Sequence, residues 1–113
     1  MLSQHIEPFT CRASTDGDAV IVAPRGELDM ATVGAVEQEL RRALRAGASK
    51  LVLDLRGLSF MDSTGLHLVA KWSEESSRDG FDFELEQGPP AVRRVFELSG
   101  MDGQLPFRED SLR

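Results

Sequence analysis

The stretch L-V-L-D-L-R-G-L-S-F-M-D-S-T-G-L-H-L-V, Leu51 to Val69, decides the fold. Its first five residues, Leu51 to Leu55, are apolar except for Asp54. A run that short and that apolar reads as a central strand. A loop, R-G-L-S-F-M, carries the chain to Met61, where the apolar run stops. Asp62, Ser63 and Thr64 follow, then Gly65, and from Leu66 apolar residues return at helical spacing. The segment from Ser63 to about Ser77 therefore reads as a helix, with Leu66, Val69, Ala70 and Ser73 on its inner face and Gly80 at its end.

Working outward from that junction gives the remaining elements. Upstream, Phe9, Cys11 and Ala13 alternate with Thr10, Arg12 and Ser14, the period of a half-exposed strand. The turn residues Thr15-Asp16-Gly17-Asp18 and the run Ala19 to Ala23 complete an antiparallel hairpin. Asp29 is positioned to cap a helix whose apolar face is Val33, Val36, Leu40 and Leu44, with Glu37, Glu39, Arg41, Arg42 and Arg45 on other faces and Gly47 as its stop. Downstream, Phe81, Phe83 and Leu85 alternate with Asp82, Glu84 and Glu86 as a strand with one buried face. Pro89-Pro90 opens a last helix, faced by Val92, Val95, Phe96 and Ser99 and ended by Gly100. A short strand is expected around Leu105 to Arg108. The fold class is α/β: a mixed, mostly parallel sheet with an N-terminal antiparallel hairpin. If the strands lie side by side in sequence order, right-handed crossovers put all three helices on one face.

The chain has 113 residues, which fits a single domain, with a core expected over about residues 8–109. One cysteine, Cys11, excludes an intrachain disulfide and suggests no zinc cluster, and it fits a reducing, cytoplasmic setting. Residues 1–10 lack the basic and apolar regions of a signal peptide, and no apolar run reaches the ~20 residues that span a bilayer. The net charge of −6, without a Lys/Arg block, argues against nucleic acid or an anionic membrane as partner and leaves a basic protein surface open.

The junction after the central strand is where function concentrates in open α/β sheets. Glu27, Asp29, Asp62 and Ser63 are expected to gather there. Capping alone accounts for Asp, Ser and Thr at a helix start. Gly65 inside the first turn, at about 1 kcal/mol relative to alanine, suggests that something approaches the backbone closely. A hydrolase elbow, G-x-S-x-G, is only half present because Met61 takes the first glycine position. His67, four residues after Ser63, has no third group to aim it, so no catalytic residue is assigned. No metal or cofactor motif is found, His5 carries no role, and spacing alone leaves open whether Trp72 packs at the edge of its helix or is partly exposed.

Three blocks, R-G-E-L-D (Arg25 to Asp29), L-V-L-D-L-R-G-L-S-F-M-D-S-T-G-L (Leu51 to Leu66) and P-P-A-V-R-R-V-F-E-L-S-G (Pro89 to Gly100), resemble the STAS domain of bacterial anti-sigma factor antagonists. The resemblance implies a partner switch. The unmodified protein would bind an anti-sigma factor that is also an ATP-using serine kinase, and so free the sigma factor. The kinase would phosphorylate Ser63, ending the complex, and a PP2C-type phosphatase would restore it. The partner surface would include Glu27, Asp29, Asp62, Thr64, Gly65 and His67, with Thr64 a second possible acceptor. His67 departs from the glycine often found there in the family. The alternative is a non-switching STAS scaffold, such as a component of a stress complex or the soluble subunit of a lipid transporter.

Overall fold

The sheet is assembled on one long strand. In the computed structural model, which describes residues 8–108, β1 is Thr10–Asp16, β2 Ala19–Leu28, α1 Val33–Arg45, β3 Lys50–Asp54, β4 Leu58–Met61, α2 Ser63–Asp79, β5 Asp82–Glu86 and α3 Pro90–Ser99. β1 pairs antiparallel with β2 across a turn at Gly17, whose φ of 65° suits glycine. On its other side the first half of β2, Ala19 to Val22, pairs in parallel with β3, and β3 pairs in parallel with β5. The order β1-β2-β3-β5 is the sequential one.

The loop expected between the central strand and the helix contains a further strand, β4. It pairs in parallel with the second half of β2, Gly26 to Leu28. Two strands so close in sequence normally cannot lie parallel in one sheet without a long crossover. Here β3 and β4 run along successive lengths of the same partner, so the chain needs only the short turn closed by Leu58 N donating to Leu55 O at 3.1 Å. The strand expected near Leu105 is reduced to a single parallel bridge, Leu85 to Phe107. Pro106 has no N–H to continue a ladder, although its carbonyl accepts from Leu85 N at 3.0 Å. His5 and the far end of the expected core, residue 109, lie outside the described residues.

Helix α1 packs on β1 and β2, α2 on β4 and β5, and α3 on β4, with α2 between the other two. Leu51, Leu53, Phe83 and Leu85 face this layer and join Val36, Leu40, Val69, Val92 and Phe96 in the core. The other sheet face carries ion pairs instead: Lys50 to Glu84 at 3.3 Å, Arg56 to Asp54 at 3.0 Å, and Arg108 to Glu84 and Glu86 at 3.4 Å.

Two helices depart from the expected detail. The inner face of α2 is Gly65, Leu66, Leu68, Val69 and Trp72, so it is rotated from the expected one, and Trp72 is fully buried. Trp72 can be there because Glu37 of α1, expected on an outer face, supplies its indole with an acceptor at 2.9 Å. Glu37 also accepts from Arg41 at 2.9 Å and Lys71 at 3.3 Å. Arg41 in turn donates two bonds of 2.8 Å to Glu75 and lies 4.3 Å over the Trp72 ring. Burial pushes the Glu37 carboxyl up, but the Trp72, Lys71 and Arg41 donors outweigh it and hold its pKa below the ordinary 4.5. A carboxyl with a depressed folded pKa contributes stability above its unfolded pKa and loses it as pH falls through the folded one. Glu37→Gln is therefore expected to cost about 1–2 kcal/mol in urea unfolding near neutral pH. The gap to wild type should close as the pH is taken down through and below 4.5; a gap independent of pH would assign the cost to packing.

Candidate functional site

The site is built by two neighbouring strand ends. Leu28 and Met61 are the last register partners of β2 and β4, and Asp62 N donates to Leu28 O at 3.3 Å. Parallel strands end at the same edge, so the residues that follow each, Asp29 and Asp62-Ser63, emerge side by side. Glu27 lies one step back, opposite Phe60. The expected gathering of Glu27, Asp29, Asp62 and Ser63 follows from this register, with β4 as its means.

Asp62 is the N-cap of α2, which leaves Ser63 in its first turn. Its backbone is extended, and its side chain accepts from Thr64 N at 2.9 Å. Its carbonyl accepts from Gly65 N at 3.1 Å and Leu66 N at 3.4 Å. Ser63 is the first helical residue and is exposed, Thr64 is half-buried, and His67 is exposed one turn on. No hydrogen bond joins Ser63 to His67 among the described residues. Thr64 and His67 line a groove between α1 and α2 together with Val33, Gly34, Leu68 and Lys71.

The expected cap at Asp29 is corrected. Helix α1 starts at Val33, four residues later, and Thr32 occupies the cap position without a side-chain cap bond. Asp29 closes a local turn instead, its carboxylate accepting from Ala31 N at 3.0 Å. The Thr32 hydroxyl is engaged with that turn, donating to Glu27 O at 2.7 Å and accepting from Asp29 N at 3.0 Å. Thr32 thus braces the two acids, a role absent from the expected set. A threonine just before a helical run is its only signal in the sequence.

Gly65 is buried and faces the interior. A Cβ there would stand 2.5 Å from Met61 Cγ and 3.0 Å from Leu28 Cδ2. What approaches its backbone is therefore the protein's own core, and Gly65 supports the edge from below.

The STAS domain family model matches residues 11–111. The chain belongs to the STAS domain family. Curated relatives of this STAS domain include an anti-sigma F factor antagonist of Lysinibacillus sphaericus, 32% identical over 85 residues, 74% of this chain and 73% of that protein. The solved anti-sigma factor antagonist of Mycobacterium paratuberculosis is 29% identical, with a TM-score of 0.81 over 98% of this chain and 96% of that one. The anti-sigma factor antagonist SpoIIAA in its unphosphorylated form is 27% identical, with a TM-score of 0.69 over 93% and 92% of the two chains. The phosphorylated form of SpoIIAA, from Bacillus, gives 26% and 0.64 over 94% and 100%. No helix among the described residues is long and apolar enough to cross a membrane.

Because Gly65 leaves no room for a methyl group, Gly65→Ala is expected to destabilise this STAS domain by about 1–3 kcal/mol. Met61→Ala is itself destabilising, because Met61 is buried, but it removes the atoms the new Cβ meets, so the double variant should lose less than the sum of the two single losses. Chemical denaturation of the two single variants and the double variant measures the coupling. Strict additivity would show that Met61 is not the obstacle.

Proposed function

We propose that this STAS domain is an anti-sigma factor antagonist whose grip on its partner is switched by phosphorylation of Ser63. The observation that carries the reading is the place of Ser63: exposed, first in α2, on the edge where β2 and β4 deliver Glu27, Asp29 and Asp62. Relatives named as antagonists that span most of the chain support it. In this reading the unmodified domain docks through Glu27, Asp29, Asp62, Thr64 and His67, with Gly65 beneath them, and so releases the sigma factor. The partner is itself a serine kinase. The Ser63 hydroxyl gives up its proton and bonds to the γ-phosphorus of ATP, and ADP leaves. A PP2C-type phosphatase hydrolyses the ester and resets the domain. The domain binds and is modified, catalyses nothing itself, and works in the cytoplasm.

The geometry supports a modification that acts on docking and not on folding. A phosphoserine carries about −1.5 to −2 charges near neutral pH. Helix starts usually welcome an anion. Here the Thr64, Gly65 and Leu66 amides already donate to Asp62. The new group finds those donors engaged and a carboxylate beside it, so it stays at the surface in water. A partner closing over it would strip that hydration from a dianion next to fixed acids, and the bound state alone is raised in energy.

Phosphosite mapping by mass spectrometry, on protein taken from its own cells with and without phosphatase treatment, should find one phosphate, on Ser63. Calorimetry against the anti-sigma factor that labels it should show Ser63→Asp binding at least about tenfold more weakly, while its melting changes by no more than about 0.5 kcal/mol. Ser63→Ala should bind and resist labelling. Full labelling of Ser63→Ala moves the acceptor to Thr64 or elsewhere. Unchanged affinity of Ser63→Asp removes the switch.

A further inference from the structure

Three large apolar side chains stand out of the described surface: Met30, 82% exposed, Phe60, 45%, and Leu98, 77%. Single exposed apolar residues need no explanation. Two of these are not single. Met30 directly follows Asp29, and Phe60 is the register partner of Glu27, so both flank the junction that holds Ser63.

Phe60 owes its exposure to an irregularity in the sheet. In an unbroken strand, residues two apart share a face, and Phe60 would follow Leu58 into the core. The β2–β4 register instead shifts at Gly26/Glu27. Gly26 pairs with Leu58, Glu27 with Phe60, and Leu28 with Met61, which leaves Ser59 as an extra residue. The bulge lets Leu58 and Met61 both turn inward, 2% and 3% exposed, with Ser59 and Phe60 outward between them. Bulges commonly re-aim a side chain beside a functional site. A phenylalanine turned outward carries a cost in exposed apolar surface, which a covering partner would remove.

The charge around the two residues points to the partner's chemistry. Among the described residues, Glu27, Asp29 and Asp62 take part in no ion pair, unlike Glu37, Glu75, Asp54 and Glu84 elsewhere. An apolar anchor within an unneutralised acidic rim fits a partner that offers an apolar pocket edged by arginine or lysine.

The geometry points to Phe60 and Met30 as the apolar anchors of the docking face, seated in a basic-rimmed pocket of the anti-sigma factor. This rests on the proposed antagonist function and names the side chains that would hold the complex together. The acids then steer and orient the encounter, and the two apolar side chains hold it.

The test is calorimetry of Phe60→Ser, Met30→Ser and Leu98→Ser against the serine-kinase anti-sigma factor of the source organism that labels Ser63. Each variant's melting is measured alongside, because an exposed side chain should leave it near wild type. The anchors should each weaken binding at least about tenfold, chiefly by faster dissociation, and the Leu98 control should stay within about twofold. Anchor variants that bind like wild type overturn the inference and leave the switch at Ser63 standing. If wild type neither binds nor is labelled by any serine-kinase anti-sigma factor of that organism, the antagonist reading fails and the anchors with it. If sedimentation shows wild type self-associating and Phe60→Ser dispersing it, the occupant is a second copy of this chain, and the inference is overturned in that form.

Discussion

A single close contact sets the geometry on which the edge of this domain depends. At Gly65 the first turn of α2 packs against the Met61 and Leu28 side chains so closely that a Cβ there would stand 2.5 Å from Met61 Cγ, and those side chains would have to shift to admit it. Those two residues are also the last partners in the β2–β4 ladder. The contact therefore joins three things at one point: the end of the long strand, the end of the inserted strand and the start of the helix. With the helix packed there, Ser63 follows directly on the strand end beside the turn that carries Asp29. Glycine's weakness as a helix former, about 1 kcal/mol, is offset by the packing that only glycine allows.

A second arrangement keeps α1 and α2 in fixed relation along their length. Glu37 accepts from the Trp72 indole across the helix pair, and Arg41 ties it to Glu75 while covering the ring. Isolated exposed ion pairs contribute little. This one is different because the indole N–H is carried by a fully buried side chain and needs an acceptor. The network stands near the groove between the two helices, whose mouth holds Thr64 and His67. It makes the helix pair a rigid support for whatever meets the edge.

The surface divides accordingly. On the sheet face away from the helices, acids and bases neutralise each other, as in the pairs of Lys50 with Glu84 and Arg56 with Asp54. At the strand-end edge they do not. Glu27, Asp29 and Asp62 stand without cationic partners among the described residues, with an exposed serine between them and apolar side chains beside them. On the proposed reading, one added dianion at the serine would act on a surface whose charge is already one-sided.

Much of this was already written in the sequence. Hydrophobic period alone located the hairpin, the central strand, β5 and three helices, because each buries one face and the period of that face is a local property. The glycines after α1, α2 and α3 marked their ends for a similarly local reason, a backbone with positive φ at Gly47, Gly80 and Gly100. The D-S-T-G junction showed where a helix begins after a strand. The short strand Leu58–Met61 was not legible, because its pairing depends on β2 being long enough to hold two partners in succession, a fact about distant residues. The outward turn of Phe60 depends on that same pairing and its bulge. The burial of Trp72 depends on an acceptor 35 residues away. The cap moved from Asp29 to Thr32 because the turn between them closes on itself, which residue type alone does not reveal. Local periodicity and capping chemistry determined which elements form and where the serine is displayed. Only the tertiary structure decided which side chains surround it, because register, bulges and cross-helix hydrogen bonds join residues that are far apart along the chain.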